Sequence, residues 1–470
     1  MTAVSTILIL GAGGDLTSRL LLPALGQLLT VEQDRRVRLI GAGTTEWSDD
    51  QWAEVVRTAF ASVDAKGPAV DHLLSQFTWV SADATTADGL RKVLAANDGP
   101  MAIYFALPPA ITAKACATFE QVGVPDGTLL AIEKPFGTDL ASAEALNAVL
   151  DRLVPENRVH RVDHFLGRST VFNLLGLRFA NRVFEPVWRS EHVERVDIVY
   201  DEQLGLEGRA GYYDKAGALV DMIQSHLLQV LSLFAIEPPT TTDATDIRDQ
   251  KGLVLRATRV WQNDPVQASR RARYTAGTVA DRELPAYLDE PGVDPANDTE
   301  TLAEVTLEID TWRWSGVPFR LRSGKALSDR RREIIVTFKP AAHVPDGLRG
   351  TPHPNQLRIF IAPDELTLEL NMNGPDDPDV LDRVPLVAHF GPGRLLAYGE
   401  VLAGILDDDP SLSVRADVAE QCWRIVQPVL DAWRAGDVPL DEYPAGSTGP
   451  TSWTDGAPAA GLAGADQTRR

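Results

Sequence analysis

The feature that most constrains the fold is an apolar, β-branched run at residues 7–10 that ends in Gly11-Ala12-Gly13-Gly14-Asp15-Leu16. A strand that stops in clustered glycines and continues into a helix brings backbone amides to its carboxyl end. Glycines there let the backbone approach a pyrophosphate, and the helix N-terminus faces the anion with partial positive charge. The third glycine of the usual dinucleotide fingerprint is absent, because Leu16 stands in its place, so a plain tight turn stays open at this point. Strand-like runs recur at residues 37–42, 101–107, 128–132 and 159–162. Helical patterns fill the gaps at 49–62, 86–96, 111–122 and 139–153. Strand, helix, strand in series predicts a parallel sheet covered on both faces: an α/β Rossmann-type N-terminal domain over residues 1–165.

The pattern then changes. Residues 193–201 alternate as an amphipathic strand, an apolar helix is expected over 215–235, and strands at 304–309, 319–322, 333–338, 356–360 and 365–370. These predict a larger α+β C-terminal domain over 166–470 with a mostly antiparallel sheet. At 470 residues the chain is too long for one core, which agrees with two domains. Segment 278–300 is acidic and turn-rich and reads as a surface loop. From about Pro444 the chain is rich in Gly, Ala, Ser, Thr and Pro, so an ordered start and a frayed end are expected.

A net charge of −21 opposes general binding to nucleic acid or acidic membranes, because repulsion from phosphate acts over the whole surface. Such a chain binds a phosphorylated metabolite only by concentrating cations locally. No apolar stretch is long enough for a membrane span, the N-terminus lacks the basic start of a signal peptide, and Cys116 and Cys422 are far apart without metal-ligand spacing. A cytoplasmic location, ordinary core thiols and no metal are expected.

Several motifs carry chemistry. Arg161-Val162-Asp163-His164-Phe165-Leu166-Gly167-Arg168 sets an aspartate beside a histidine between two arginines. His226 lies in Gln224-Ser225-His226 on the apolar helix, five residues after Asp221. Polar groups on so apolar a helix need polar partners, and an imidazole is matched to accepting an alcohol proton near neutral pH. Lys134, in Glu133-Lys134-Pro135-Phe136-Gly137, ends a strand, where ligands bind in parallel sheets. Ser323-Gly324-Lys325, followed by Arg330, Arg331 and Arg332, is a dense basic group in an acidic chain. At the end of the second strand an arginine would grip the NADP 2′-phosphate and an acid the NAD ribose. Thr44 and Thr45 fit either cofactor, and Glu46 mildly favours NAD.

Taken in order, these elements resemble the glucose-6-phosphate dehydrogenase family, bacterial type. The likeness also covers Leu177-Arg178-Phe179-Ala180-Asn181, Glu207-Gly208-Arg209-Ala210-Gly211-Tyr212-Tyr213-Asp214, Arg313-Trp314-Ser315-Gly316-Val317-Pro318-Phe319 and Tyr443-Pro444-Ala445-Gly446-Ser447, nearly the whole chain. The resemblance implies hydride transfer from C1 of glucose 6-phosphate to NAD(P)+, giving 6-phospho-glucono-1,5-lactone in the oxidative pentose phosphate route. It implies that His226 is the proton acceptor and Asp163 the carboxylate that orients it. Lys134 would reach both substrate and cofactor. Glu202 and Asp221 would bind sugar hydroxyls, and His164, Arg168, Lys325 and Arg330 would lie near the substrate phosphate. Gly11, Ala12, Gly13, Gly14, Asp15, Leu16 and Thr44 would line the cofactor, NADP or also NAD. A homodimer or homotetramer is implied.

The departures from the family are specific. Phe165 and Arg168 stand where tyrosine and lysine are usual, Ser225 where asparagine is common, and Thr44 where the NADP-phosphate arginine belongs. The first two alter the phosphate grip, since a phenol's hydrogen bond is lost and a planar guanidinium replaces a compact ammonium. Two other readings therefore stand beside the first: a dehydrogenase of another hexose or hexose phosphate, and a catalytically quiet regulator that binds nucleotide or sugar phosphate.

Overall fold

The computed structural model describes residues 4–361, 364–391 and 393–453, without the side chains of Thr170 and Phe172. Most of the tail expected to fray, from residue 454 on, lies outside the described residues. The chain forms two units. The first takes Met1–Ser169 together with Pro239–Gly252 and Gly393–Trp423, and the second takes Thr170–Pro238, Leu253–Pro392 and Arg424–Arg470. A single break near residue 165 is what local pattern suggests. The two returning segments are joined to the first unit by tertiary packing, which no local periodicity announces.

The first unit holds a seven-stranded sheet. Its six parallel strands are β1 (Thr6–Leu10), β2 (Arg38–Gly43), β3 (Phe77–Ser81), β4 (Ala102–Phe105), β5 (Leu129–Glu133) and β6 (Val159–Val162). They lie in the order β6, β5, β4, β1, β2, β3, and Ser413–Val414 closes the edge antiparallel to β6. The reversal of order on either side of β1 places a ligand crevice at the strands' carboxyl ends. Strand β3 escapes sequence reading because Thr78 and Ser81 interrupt its apolar run and only Trp79 and Val80 are buried. The helices start as their caps dictate: Ser48 and Gln51 form a capping box before Asp49–Ala61, and Asp139 and Ser142 another before Leu140–Leu153.

One face of this sheet carries the core that includes Leu25, Leu28, Trp52, Phe60, Tyr398 and Leu402. Gly41, within β2, lies where Trp52 and Trp79 close over the strand. A Cβ there would stand 2.7 Å from the Trp52 ring. The two indoles are 5.4 Å apart between centroids.

The second unit is built on a ten-stranded sheet. Across it run Leu381–His389, Glu365–Asn373, Gln356–Phe360, Arg332–Phe338, β7 (Val193–Asp201), β8 (Phe319–Gly324), Leu302–Ile309, Ser269–Thr275 and Leu440–Pro444, with Thr258–Val260 paired to Leu302–Ile309. Most pairs are antiparallel, as expected, but Leu440–Pro444 runs parallel to Ser269–Thr275, and β7 and β8 run parallel, in register from Val196 opposite Phe319 to Asp201 opposite Gly324.

The expected helix is not one uniform helix. Ala210–Ala218 breaks at Gly217, where φ is 65° and ψ 178°, and Leu219–Leu227 then winds as a π-helix before Leu228–Ala235 resumes α geometry. The whole stretch Ala210–Ala235 is apolar and long enough to cross a bilayer, but 83% of its most apolar window is buried inside the protein, as in a core helix. Nor is segment 278–300 a simple surface loop. Tyr287, Thr299 and Glu300 are buried, and the Asp214 carboxylate accepts hydrogen bonds from Tyr287 Oη (2.6 Å), Asn297 Nδ2 (2.6 Å) and the Asp294 amide (2.9 Å).

The tight approach at Gly41 is testable. Gly41→Ala should destabilise the protein by about 1–3 kcal/mol through overpacking. A fall in the urea midpoint at unchanged m checks it.

Candidate active site

The glycine turn is shaped by sterics. Gly11 leaves β1 at φ +79°, and a Cβ would come within 2.3 Å of the Ala106 carbonyl oxygen. The Gly11 and Ala12 amides donate to Ala42 O at 2.9 and 3.0 Å, which ties the turn to the end of β2. Gly13, Gly14 and Asp15 are exposed. The glycine-rich backbone arch at residues 11–14, ahead of the helical turn Thr17–Leu21, leaves room for a dinucleotide pyrophosphate. Thr44, just past β2, is exposed, and its neighbour Thr45 is pinned by Trp79 Nε1 and Ser81 Oγ donating to its carbonyl at 3.0 and 3.1 Å. Residues 44–47 include no cation.

At the other side of the crevice, β5 and β6 are adjacent and parallel, with Glu133 opposite Val162. Lys134 and Asp163 therefore leave the sheet side by side. Asp163 is 2% exposed, and its Oδ1 accepts the Phe165 amide at 2.9 Å. His164 stacks on Tyr398, with centroids 5.2 Å apart and planes 15° from parallel. The Arg168 guanidinium lies 4.9 Å over the buried Phe165 ring. A planar guanidinium can lie flat on an aromatic face, where a compact ammonium makes only a point contact. The flanking Arg161 is no phosphate ligand. It is buried, with Nη1 on Glu156 Oε1 at 2.8 Å and Nε on Asn147 Oδ1 at 3.0 Å.

Sequence reading missed the groups behind this edge. Glu133, itself half-buried, accepts from the Tyr104 hydroxyl at 2.5 Å and from Tyr398. Burial pushes its carboxyl up to about 7, against the pull of the two phenols and of Lys134. Lys251, 2% exposed, arrives on the returning segment. Burial pushes its ammonium down to about 8, opposed by the negative charge of Asp163. The apolar run leading into Glu133 was a legible sign of burial; nothing local joins Lys251 to Asp163, 88 positions earlier.

In the second unit, the parallel pair β7 and β8 repeats the device. Glu202 follows β7 and Lys325 follows β8, and Lys325 Nζ meets Glu202 Oε2 at 2.9 Å. The lysine is 3% exposed and also lies 5.0 Å from the Tyr213 ring centroid. Of the three arginines downstream, Arg332 reaches Glu202 Oε1 at 3.4 Å, whereas Arg330 is exposed on the preceding turn.

Asp221 and the buried His226 lie on the π-helical segment. In an α-helix five residues would separate them by about 140° around the axis. The i→i+5 repeat instead brings residues five apart onto one face, and such turns mark functional sites. Ser225 Oγ donates to the Asp221 carbonyl at 2.7 Å, so this hydroxyl is engaged by its own helix.

The raised Glu133 carboxyl gives a signed pH dependence. Between about 4.5 and 7 the unfolded state has lost this proton and the folded state has kept it, so wild-type stability falls as pH rises through that window. Glu133→Gln lacks this loss. Its stability relative to wild type should rise by up to about 2–3 kcal/mol from pH 4.5 to 7 and then level off, as read from denaturant melts at stepped pH.

The chain matches two family models almost end to end: "Glucose-6-phosphate dehydrogenase, NAD binding domain" over residues 8–173 and "Glucose-6-phosphate dehydrogenase, C-terminal domain" over residues 175–461. It is 37% identical over 462 residues to glucose-6-phosphate 1-dehydrogenase of Rhizobium meliloti, with 94% of each chain covered. It is 36% identical over 471 residues to that of Mycolicibacterium smegmatis, covering 94% of this chain and 93% of the relative. The crystal structure of the Mycobacterium avium enzyme superposes with a TM-score of 0.84 at 32% identity and 96% coverage of both chains. A glucose-6-phosphate dehydrogenase solved in complex with glucose 6-phosphate superposes equally well, at 0.84 and 28% identity, covering 96% of this chain and 97% of that one. With both its halves matched, the chain belongs to the glucose-6-phosphate dehydrogenase family.

Proposed function

We propose that this chain oxidises glucose 6-phosphate at C1, passing a hydride to a nicotinamide dinucleotide and releasing 6-phospho-glucono-1,5-lactone. The observation that carries the reading is family membership along nearly the full chain. His226 takes the proton of the C1 hydroxyl, and Asp163 orients the imidazole and stabilises its protonated form. Lys134 serves both substrate and cofactor. Glu202 and Asp221 accept hydrogen bonds from sugar hydroxyls. His164, Arg168, Lys325 and Arg330 offset the charge of the phosphate. The Lys325–Glu202 pair supports this assignment, since the 2.9 Å contact sets a cation and an acceptor side by side where a polar ligand could meet both.

Residues 11–16 and Thr44 hold the dinucleotide, which when bound supplies the hydride acceptor. NADP+ is used and NAD+ is admitted, because Thr44 offers a hydroxyl and no fixed charge to a 2′-phosphate. The protein self-associates as a homodimer or homotetramer. Exposed apolar side chains on the outermost strands of the large sheet, Met372, Leu386 and Val387, support this.

Initial rates on glucose 6-phosphate with NADP+ and NAD+ in parallel test the reading. Turnover with both, and weak or no turnover with other hexose phosphates, is expected; a folded protein stabilised by glucose 6-phosphate that reduces neither dinucleotide would favour the quiet regulator. His226→Asn should lower kcat by roughly 10² or more with little change in substrate affinity. Thr44→Arg should shift the kcat/KM ratio toward NADP+ by about tenfold, the effect of one added charge-assisted phosphate contact.

A further inference from the structure

The groups around Asp221, His226 and Lys325 converge on one short sequence, Thr299-Glu300-Thr301, that the proposed chemistry does not use. Thr299 Oγ1 donates to the Asp214 carbonyl at 2.5 Å, at the middle of helix Ala210–Ala218. Glu300, 7% exposed, accepts the Leu219 amide on Oε1 at 2.9 Å, and its own carbonyl takes the Ala218 amide at 3.3 Å. The Thr301 carbonyl accepts the Lys325 amide at 2.9 Å, and Thr301 Oγ1 is 2.9 Å from Tyr443 Oη, which donates to Lys325 O at 2.7 Å.

The first amides of a helix have no partner within it and need an outside acceptor. Here the acceptor is a buried side chain from 81 positions downstream, at the break where Gly217 leaves helical geometry. The fit is close: a Cβ on Gly217 would lie 2.3 Å from Glu300 Oε1 and 2.6 Å from Oε2. The glycine and the carboxyl are matched to each other. Leu219 opens the π-helical turn, Asp221 is two residues further on and His226 seven.

We propose that Glu300 is a positioning residue for the substrate-binding side chains: by accepting the Leu219 amide at the Gly217 break it sets the start and angular phase of the π-helix, and through its neighbour Thr301 the same strand end fixes Lys325. The inference rests on the dehydrogenase reading above. What the contact needs is an oxygen at that reach, not a negative charge. In keeping with this, burial pushes the Glu300 carboxyl up to about 7, with the Leu219 and Ala218 amides and Arg271 opposing.

The test compares two conservative variants. Glu300→Gln keeps an acceptor at full reach and loses the charge; Glu300→Asp keeps the charge and withdraws the oxygen by one methylene. The expected order is Gln near wild type and Asp reduced in kcat/KM for glucose 6-phosphate by roughly 10- to 100-fold, the scale of an ångström-level misplacement. Dinucleotide affinity, read by fluorescence titration, should stay within about twofold in both, because a general loss of structure would move it too. Hydrogen exchange at the Leu219 amide should speed up in the Asp variant and not in the Gln variant. The reverse order, with Asp near wild type and Gln impaired, or unchanged kcat/KM in both, overturns the proposal. A wild type that fails to turn over would count against the reaction instead, and Leu219 exchange would still decide whether Glu300 holds the helix start.

Discussion

Parallel pairing of neighbouring strands is the constraint on which the candidate site depends. Two parallel strands in register end together, so the residues that follow them emerge side by side. The first unit uses β5 and β6 to set Lys134 beside Asp163, and the second uses β7 and β8 to set Glu202 beside Lys325. In the second unit this arrangement sits in a mostly antiparallel sheet, where a hairpin partner would have carried one of the two chains to the opposite end. Each pair sets a lysine beside an acidic residue, so a chain of net charge −21 places these cations at chosen points of the fold.

Helical geometry adds a second constraint. A buried π-helical turn relaxes the 3.6-residue period and lets Asp221 and His226, five apart, share a face. Such a turn is less favourable than regular α-helix and persists only where its surroundings hold it. The Gly217 break, the Glu300 side chain and the Ser225 bond to the Asp221 carbonyl are those surroundings. Around the first unit's histidine the supports are aromatic: Tyr398 under His164 and Phe165 under Arg168.

Much of this was legible in the sequence, for identifiable reasons. The strands that lead into Gly11 and into Glu133 and Lys134 are almost wholly apolar, and the alternation of strands with amphipathic helices left one fold class. His226 and Asp221 stood out because polar residues on so apolar a helix need partners. What stayed hidden depends on contacts distant in sequence. Lys251 near Asp163, Tyr398 under His164 and Glu300 at Leu219 are each separated from their partners by 81 or more positions. Glu300 was also masked by composition, since an acid closing a turn-rich acidic stretch reads as solvated. Arg161 shows the limit of proximity in sequence: it stands two residues before Asp163, but its place within β6 turns it inward onto Glu156.

The central claim is that these groups serve hydride transfer from C1 of glucose 6-phosphate. Its most direct test is to supply glucose 6-phosphate deuterated at C1 and examine the reduced nicotinamide by NMR or mass spectrometry. The account predicts that the deuterium appears on the nicotinamide ring in step with lactone formation. Reduced nicotinamide free of deuterium, or binding of the labelled sugar without reduction of either dinucleotide, would contradict it.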